Sequence, residues 1–321
     1  MTAVSYFAPV QDKINLVEDL LRHQADDAHP ELRAALEHLL AAGGKRFRPT
    51  LGLLTGQMLG APDEKLINLC AAVEMLHTAT LVHDDLIDGA ILRRGNPTLN
   101  AQWSPPATVL TGDFVFARAA KLAADTNHLP LMKIYAETLA IIVNGELTQL
   151  FTARGLVNRE NYYKRIYAKT ASLVEMTTRA AAMISPVDDG VVEAMRMYGY
   201  YLGMAFQIVD DVLDFTGEQD EVGKPVGSDL LQGLVTLPAI YYAESNPDDP
   251  DVTCLNDGCY NEHGRMDRLV QTIRTSDGVT RSLEEATEYI DKALGMLRKM
   301  PDGPERKALE DLARYSLTRK S

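Results

Sequence analysis

Two acidic clusters of identical spacing, Asp84-Asp85-Leu86-Ile87-Asp88 and Asp210-Asp211-Val212-Leu213-Asp214, constrain this chain more than any other feature. The first and last aspartates of each stand at i and i+4, on one face of a helix. Like charges at that spacing repel by roughly a few tenths of a kcal/mol. Each cluster also runs into a helix stop, at Gly89 and at Thr216-Gly217. The carboxylates therefore sit where the helix dipole is already negative. Acidic groups placed twice against local electrostatics call for a counterion. An all-oxygen donor set favours a hard cation, Mg²⁺ first, which commonly also holds phosphate oxygens. A single DDxxD reads as a solvated helix end. Two copies preceded by Leu81, Val82 and His83, and by Phe206, Gln207, Ile208 and Val209, do not, because a solvated face is more polar on both sides.

A basic counterpart lies at Gly43-Gly44-Lys45-Arg46-Phe47-Arg48-Pro49, between two helical stretches. Its glycines can end a helix and bring backbone close to a ligand. Lys45 and Arg48 offer charge-assisted donors suited to phosphate. Arg93-Arg94-Gly95 follows the first acidic cluster. In a chain of net charge −13, such basic clusters beside carboxylates point to a polyphosphate site.

The excess of acid argues against nucleic acid as a partner. With 46% hydrophobic and 24% charged residues, the chain reads as soluble and globular. The opening residues lack the charged start and apolar run of a signal peptide, and no stretch is expected to reach the length of a membrane span. A cytoplasmic, reducing location follows, in which Cys70, Cys254 and Cys259 need not pair. Cys254, Cys259 and His263 lack a fourth ligand at zinc spacing, so no zinc site is expected there.

Apolar periodicity predicts helices over most of the chain. Residues 14–42 read as two helices broken near His29-Pro30. Residues 64–87 form a long helix that is apolar nearly all round between 69 and 82, hence central and buried. Further helices are expected at 49–59, 107–124, 129–150, 159–183, 187–215, 236–244, 266–275, 283–300 and 304–318. Loops are expected at 97–106, 218–233 and 245–264, with no strands. No linker interrupts the pattern, so residues 1–321 read as one domain.

The motifs GGKRFRP (43–49), LVHDDLIDGAILRRGNPT (81–98), GDFVFA (112–117), KTASL (169–173), FQIVDDVLDFTG (206–217) and GKPVGSDL (223–230) stand in one order. By these the chain resembles the trans-isoprenyl diphosphate synthases, the polyprenyl synthetase family. The resemblance implies an all-α bundle around a deep central cavity. It implies head-to-tail condensation of isopentenyl diphosphate with an allylic diphosphate, supported by Mg²⁺, with three ions around bound diphosphate. By position in the motifs, Asp84, Asp88 and Asp210 match the principal metal ligands, with Asp85, Asp211 and Asp214 as ligands or their supports. Arg93, Lys169, Thr170, Gln207 and Lys224 match contacts to the allylic diphosphate. Gly44, Lys45, Arg48, His77 and Arg94 match the isopentenyl diphosphate site, with His77 as an orienting donor. The resemblance also implies a homodimer.

One departure stands out. The family often places a lysine between the glycine and the Thr-Leu-Pro run, and here that position is Leu234, which cannot bind phosphate. Chain length is the finest expectation. Short-chain members carry bulky aromatics four or five residues before the first aspartate, where this chain has Thr80 and Ala79. A channel beside that helix would run on past Leu76, Met75 and Ala72, roughly 10 Å further at 1.5 Å per residue, giving C30–C50 products. The alternatives are a farnesyl or geranylgeranyl diphosphate synthase, a terpene cyclase, which has no need of a second diphosphate site, and a non-catalytic partner subunit, in which the aspartate clusters should be degraded.

Overall fold

A helix apolar on every side has no face for water, and residues 69–82 are buried accordingly except for half-buried His77, Thr80 and Leu81. The computed structural model describes residues 6–41, 46–93, 95–151, 157–217, 226–258 and 260–319. Gly43, Gly44, Lys45, Arg94, Lys224 and Cys259 lie outside them, as does the side chain of His263. The helices are α1 (Gln11–Arg22), α2 (Pro30–Ala41), α3 (Phe47–Leu59), α4 (Asp63–Ile87), α5 (Leu99–Gln102), α6 (Pro105–Asp125), α7 (Leu129–Phe151), α8 (Arg159–Ile166), α9 (Ser172–Met183), α10 (Asp189–Thr216), α11 (Ser228–Leu231), α12 (Leu237–Ser245), α13 (Pro250–Asn256), α14 (His263–Thr275), α15 (Asp277–Leu297) and α16 (Pro304–Thr318). The chain is all-α, as its periodicity predicts.

Three expectations need correction. A two-residue antiparallel ladder, Leu92–Arg93 with Asn96–Pro97, closes around Gly95, whose φ of 78° is the left-handed value such a turn demands. The supposed loops at 97–106, 218–233 and 245–264 contain α5, α11 and α13, whose short lengths hide any helical period. Finally, α4 is long and apolar enough by length and composition to cross a bilayer, although most of its apolar window is buried within the fold.

Two compact units share the chain. One comprises Met1–Glu137, Met176–Arg196 and Lys299–Asp311, and the other Thr138–Glu175, Met197–Arg298 and Leu312–Ser321. In the first, α4 packs along α6 and against α3 and α1. Glycines let α3 come close. A Cβ on Gly52 would sit 2.8 Å from Cys70 Sγ, and one on Gly56 would overlap the Leu66 side chain. In the second, Tyr162, Ile208, Phe215, Leu230, Ile240 and Met266 lie in a continuous core, and α12 packs on α15. The free cysteines Cys70 and Cys254 are both buried, and burial pushes the Cys70 thiol far up.

The glycines make a contrast that can be measured. Gly56→Val forces a side chain into Leu66 and should cost about 1–3 kcal/mol in urea unfolding. Gly295→Ala, in the interior of α15 with nothing within 4 Å of its new Cβ, should stabilise by about 0.5–1 kcal/mol. Equal effects at the two sites would contradict the close approach of α3 to α4.

Candidate active site

Both helices end where the acidic clusters require. α4 stops at Ile87 with Asp88 as its C-cap, and Gly89 follows with φ 63°. α10 stops at Thr216, with the Gly217 amide donating to the Leu213 carbonyl. At 100° per residue, the first and fifth aspartates share a face and the second turns away from it. The structure shows the consequence twice. Asp84 and Asp210 are half-buried and Asp88 is exposed, whereas Asp85 and Asp211 are buried.

The two buried carboxylates are satisfied differently. In the first unit, Arg93 from the β-turn donates to Asp85, with Nη2 2.7 Å and Nε 2.9 Å from Oδ1. In the second unit, Asp211 is held by neutral donors: Tyr162 donates to Oδ2 at 2.7 Å and Gln207 to Oδ1 at 2.8 Å. Thr170 in turn donates to Gln207 Oε1 at 2.6 Å. Thr170 and Gln207 thus belong to one hydrogen-bonded chain ending on Asp211. Burial pushes the Asp211 carboxyl up to about 7, helped by the charge of Asp229 and opposed by the two hydrogen bonds. Asp214 ties α10 to α11, accepting from Ser228 Oγ at 2.8 Å and from the Asp229 amide at 3.3 Å.

The KTASL motif begins in a π turn, Tyr167–Ala171, and runs on into the first residues of α9. Such turns widen a helix and recur at functional sites. Two glycines accommodate it. A Cβ on Gly203 of α10 would lie 2.6 Å from Ala171 Cα, and one on Gly145 of α7 would lie 2.5 Å from Ala168 Cβ. Lys169, exposed on this turn, donates to Glu146 at 2.9 Å.

The basic motif in the first unit shows what its sequence concealed. Arg46 has φ 45°, rare outside glycine, and its side chain turns inward to Glu18 at 3.1 Å and to the buried Glu74 of α4 at 3.0 Å. It anchors the segment leading into α3, which carries Arg48. His77 is half-buried on α4, one turn before Ala79 and Thr80. Ala79, Leu76, Met75 and Ala72 are all fully buried, while Thr80 is half-buried and donates to the His77 carbonyl. Phe116 of α6 lies against His83, with ring centroids 5.4 Å apart. Leu234, at the departed lysine position, is half-buried.

Among the described residues no three His, Cys, Asp or Glu side chains form a ready-made metal cage. Mg²⁺ does not demand one. It keeps several waters and takes one or two carboxylates plus phosphate oxygens. Half-buried Asp84 and Asp210 and exposed Asp88, beside the buried and satisfied Asp85 and Asp211, fit that demand.

Comparison with known proteins identifies the family. The polyprenyl synthetase model matches residues 29–272. The chain belongs to the polyprenyl synthetase family. It is 35% identical over 97% of its length to heptaprenyl diphosphate synthase component 2 of Bacillus subtilis (strain 168), covering 89% of that protein. It is 35% identical over 98% of its length to nonaprenyl diphosphate synthase of Mycobacterium tuberculosis, covering 94% of it. It superposes with a TM-score of 0.91 and 34% identity on a polyprenyl synthase of Caulobacter crescentus CB15 complexed with calcium and isoprenyl diphosphate, covering 98% of this chain and 97% of that one. Family membership brings prenyltransferase activity with it.

Sequence reasoning passed over Tyr162, Arg46 and Arg319. Tyr162 stands in a polar run, Asn161-Tyr162-Tyr163-Lys164-Arg165, with nothing to mark it as the donor to Asp211. Arg46 is masked by two neighbouring basic residues, and only its backbone conformation reveals its separate role. Arg319 donates to Asp210, 109 positions away in sequence, and no motif contains it.

The Asp211 pair gives a pH-dependent test in the presence of chelator. The folded value of about 7 lies above the ordinary carboxylate value of about 4. Between those limits the folded chain keeps a proton that the unfolded chain has released. This contribution favours folding at low pH and is lost as pH rises through about 7. Tyr162→Phe removes a donor to the ionised form and should lower unfolding free energy by about 1–3 kcal/mol at pH 8, and by less at pH 6. An equal loss at both pH values would contradict the assignment.

Proposed function

We propose that the chain is a Mg²⁺-dependent trans-polyprenyl diphosphate synthase that extends an allylic diphosphate with isopentenyl diphosphate to products of C30–C50. The observation that carries this reading is the repeated arrangement at the ends of α4 and α10: a half-buried first aspartate followed by a second that is buried and held. Asp84, Asp88 and Asp210 would hold the Mg²⁺, and when bound with diphosphate, as three ions, it supplies Lewis-acid neutralisation of the leaving group. Asp85, Asp211 and Asp214 orient those helix ends through Arg93, through Tyr162 and Gln207, and through Ser228.

Arg93, Lys169, Thr170, Gln207 and Lys224 bind the allylic diphosphate. Gly44, Lys45, Arg48, Arg94 and His77 bind isopentenyl diphosphate, and Arg46 holds the start of α3, which carries Arg48, by its two glutamates. The allylic carbon–oxygen bond breaks and its electron pair leaves with diphosphate. The isopentenyl double bond attacks the allylic cation and forms the new carbon–carbon bond. A proton then passes from the adjacent carbon to the released diphosphate, restoring a double bond one isoprene unit further on. His77 orients phosphate. Apolar walls keep water from the cation.

Product length rests on Ala79 and Thr80. Small residues before the first cluster leave room alongside α4, with Leu76 and Met75 as the next positions a growing tail would meet. The hepta- and nonaprenyl names of the two relatives support the same range. Two diphosphate sites favour a synthase over a terpene cyclase.

The partner is a second copy of the chain. Val143, Leu147, Leu150 and Phe151 form an apolar stripe on α7, exposed by 46–86%, which suits self-association. The name "component 2" of the Bacillus relative favours a second reading, in which a different subunit completes the enzyme. The intact acidic clusters support catalysis in this chain in either case.

Incubation of the purified chain with isopentenyl diphosphate, each allylic primer and Mg²⁺, followed by sizing of the products, tests both points. The expected products lie in the C30–C50 range, and Ala79→Tyr should remain active but stop near C15–C20, at roughly one-turn channel depth. Wild-type products of C15 or C20, or unchanged products from the variant, contradict the channel assignment. Inactivity of the chain alone, restored by a second protein, favours the two-component reading.

A further inference from the structure

Asp210 already carries a cation. The guanidinium of Arg319, the residue after α16, lies 2.6 Å from Asp210 Oδ1. The same Nη2 donates to the Phe206 carbonyl at 2.7 Å, and the guanidinium carbon stands 3.7 Å from the centroid of the Phe206 ring. Phe206 and Asp210 are i and i+4 on α10, so ring, carbonyl and carboxylate form one slot along a single helix face. The Arg319 side chain is 8% exposed, whereas Asp210 is 39% exposed. A buried arginine clamped only for structure has its donors satisfied. Here the buried Nε meets no acceptor among the described residues. The guanidinium is held on the ring and by one edge on the carboxylate, and the Asp210 side chain remains partly exposed.

We propose that Arg319 competes with the divalent cation for Asp210, acting as a built-in counterion that the incoming metal must displace. The proposal rests on Asp210 being a metal ligand, as read above. A metal–oxygen distance of about 2.1 Å and a guanidinium at hydrogen-bond distance cannot share one carboxylate oxygen without displacing the arginine or weakening both contacts. The pair therefore lowers apparent metal affinity by the fraction of molecules in which Arg319 is seated. Phe206 sets that fraction, because cation–π contact with its ring holds the guanidinium in the slot without contributing charge. The device keeps Asp210 neutralised at the negative end of α10 until metal and diphosphate arrive together.

The test is Mn²⁺ binding to the whole chain without diphosphate, followed by electron paramagnetic resonance of the free ion. Arg319→Gln should tighten the apparent Kd by roughly three- to tenfold, the factor by which the seated fraction is relieved. Phe206→Leu should tighten it in the same direction while leaving every charge in place. It also serves if the glutamine variant does not fold. Asp210→Asn is the control and should abolish the binding component that the other two variants move. Unchanged or weaker binding in Arg319→Gln overturns the proposal. Tightening in Arg319→Gln alone, with Phe206→Leu equal to wild type, assigns the effect to distant charge and overturns it as well. Absence of any Asp210-dependent Mn²⁺ binding overturns the metal-ligand reading together with the proposal, whereas failure of the competition alone leaves that reading in place.

Discussion

Negative charge gathered at the C-terminal end of a buried helix is the constraint on which the rest depends. α4 and α10 each bring carboxylates to an end where the backbone carbonyls are already unsatisfied, and each must compensate. The compensations differ. Arg93 reaches back eight residues to Asp85. Arg319 reaches Asp210 from another helix altogether, and Tyr162 with Gln207 supports Asp211 without any charge. The local architecture around each cluster, the β-turn after α4 and the π turn opposite α10, supplies these partners. Asp84, Asp88 and Asp210 are the carboxylates proposed to take a cation that brings its own phosphate oxygens.

The same logic separates residues that bind from residues that hold. In the basic motif, Lys45 and Arg48 look alike with Arg46 on paper. Arg46 turns inward to two glutamates, and a left-handed backbone places it there. In the second acidic cluster, Asp214 is occupied by Ser228 and the Asp229 amide, so it ties α10 to α11. A motif read as a string of ligands thus resolves into outward groups and the anchors behind them.

Much of this was legible in the sequence. The all-α class and the central, buried position of α4 follow from an unbroken apolar run. The helix stops at the two clusters follow from Gly89 and Gly217, and residues 304–318 form a helix as their periodicity predicts. The short elements α5, α11 and α13 were not legible, because four to seven residues hold too few turns to show a period. Nor was the π turn, since Tyr167–Ala171 has ordinary helical composition and its widening depends on Gly145 and Gly203 in two other helices. Tyr162 and Arg319 were invisible for a similar reason. Each acts on an aspartate far along the chain, and only the packing of unit-mates brings them together.

The central claim is that each of the two clusters is needed for metal-dependent diphosphate binding. Calorimetric titration of inorganic pyrophosphate into the purified chain measures it most directly. The account predicts binding only when Mg²⁺ is present, and its loss in Asp84→Ala and equally in Asp210→Ala, although each retains its helical circular dichroism. Pyrophosphate binding that persists in chelator, or that survives removal of either aspartate, would contradict it.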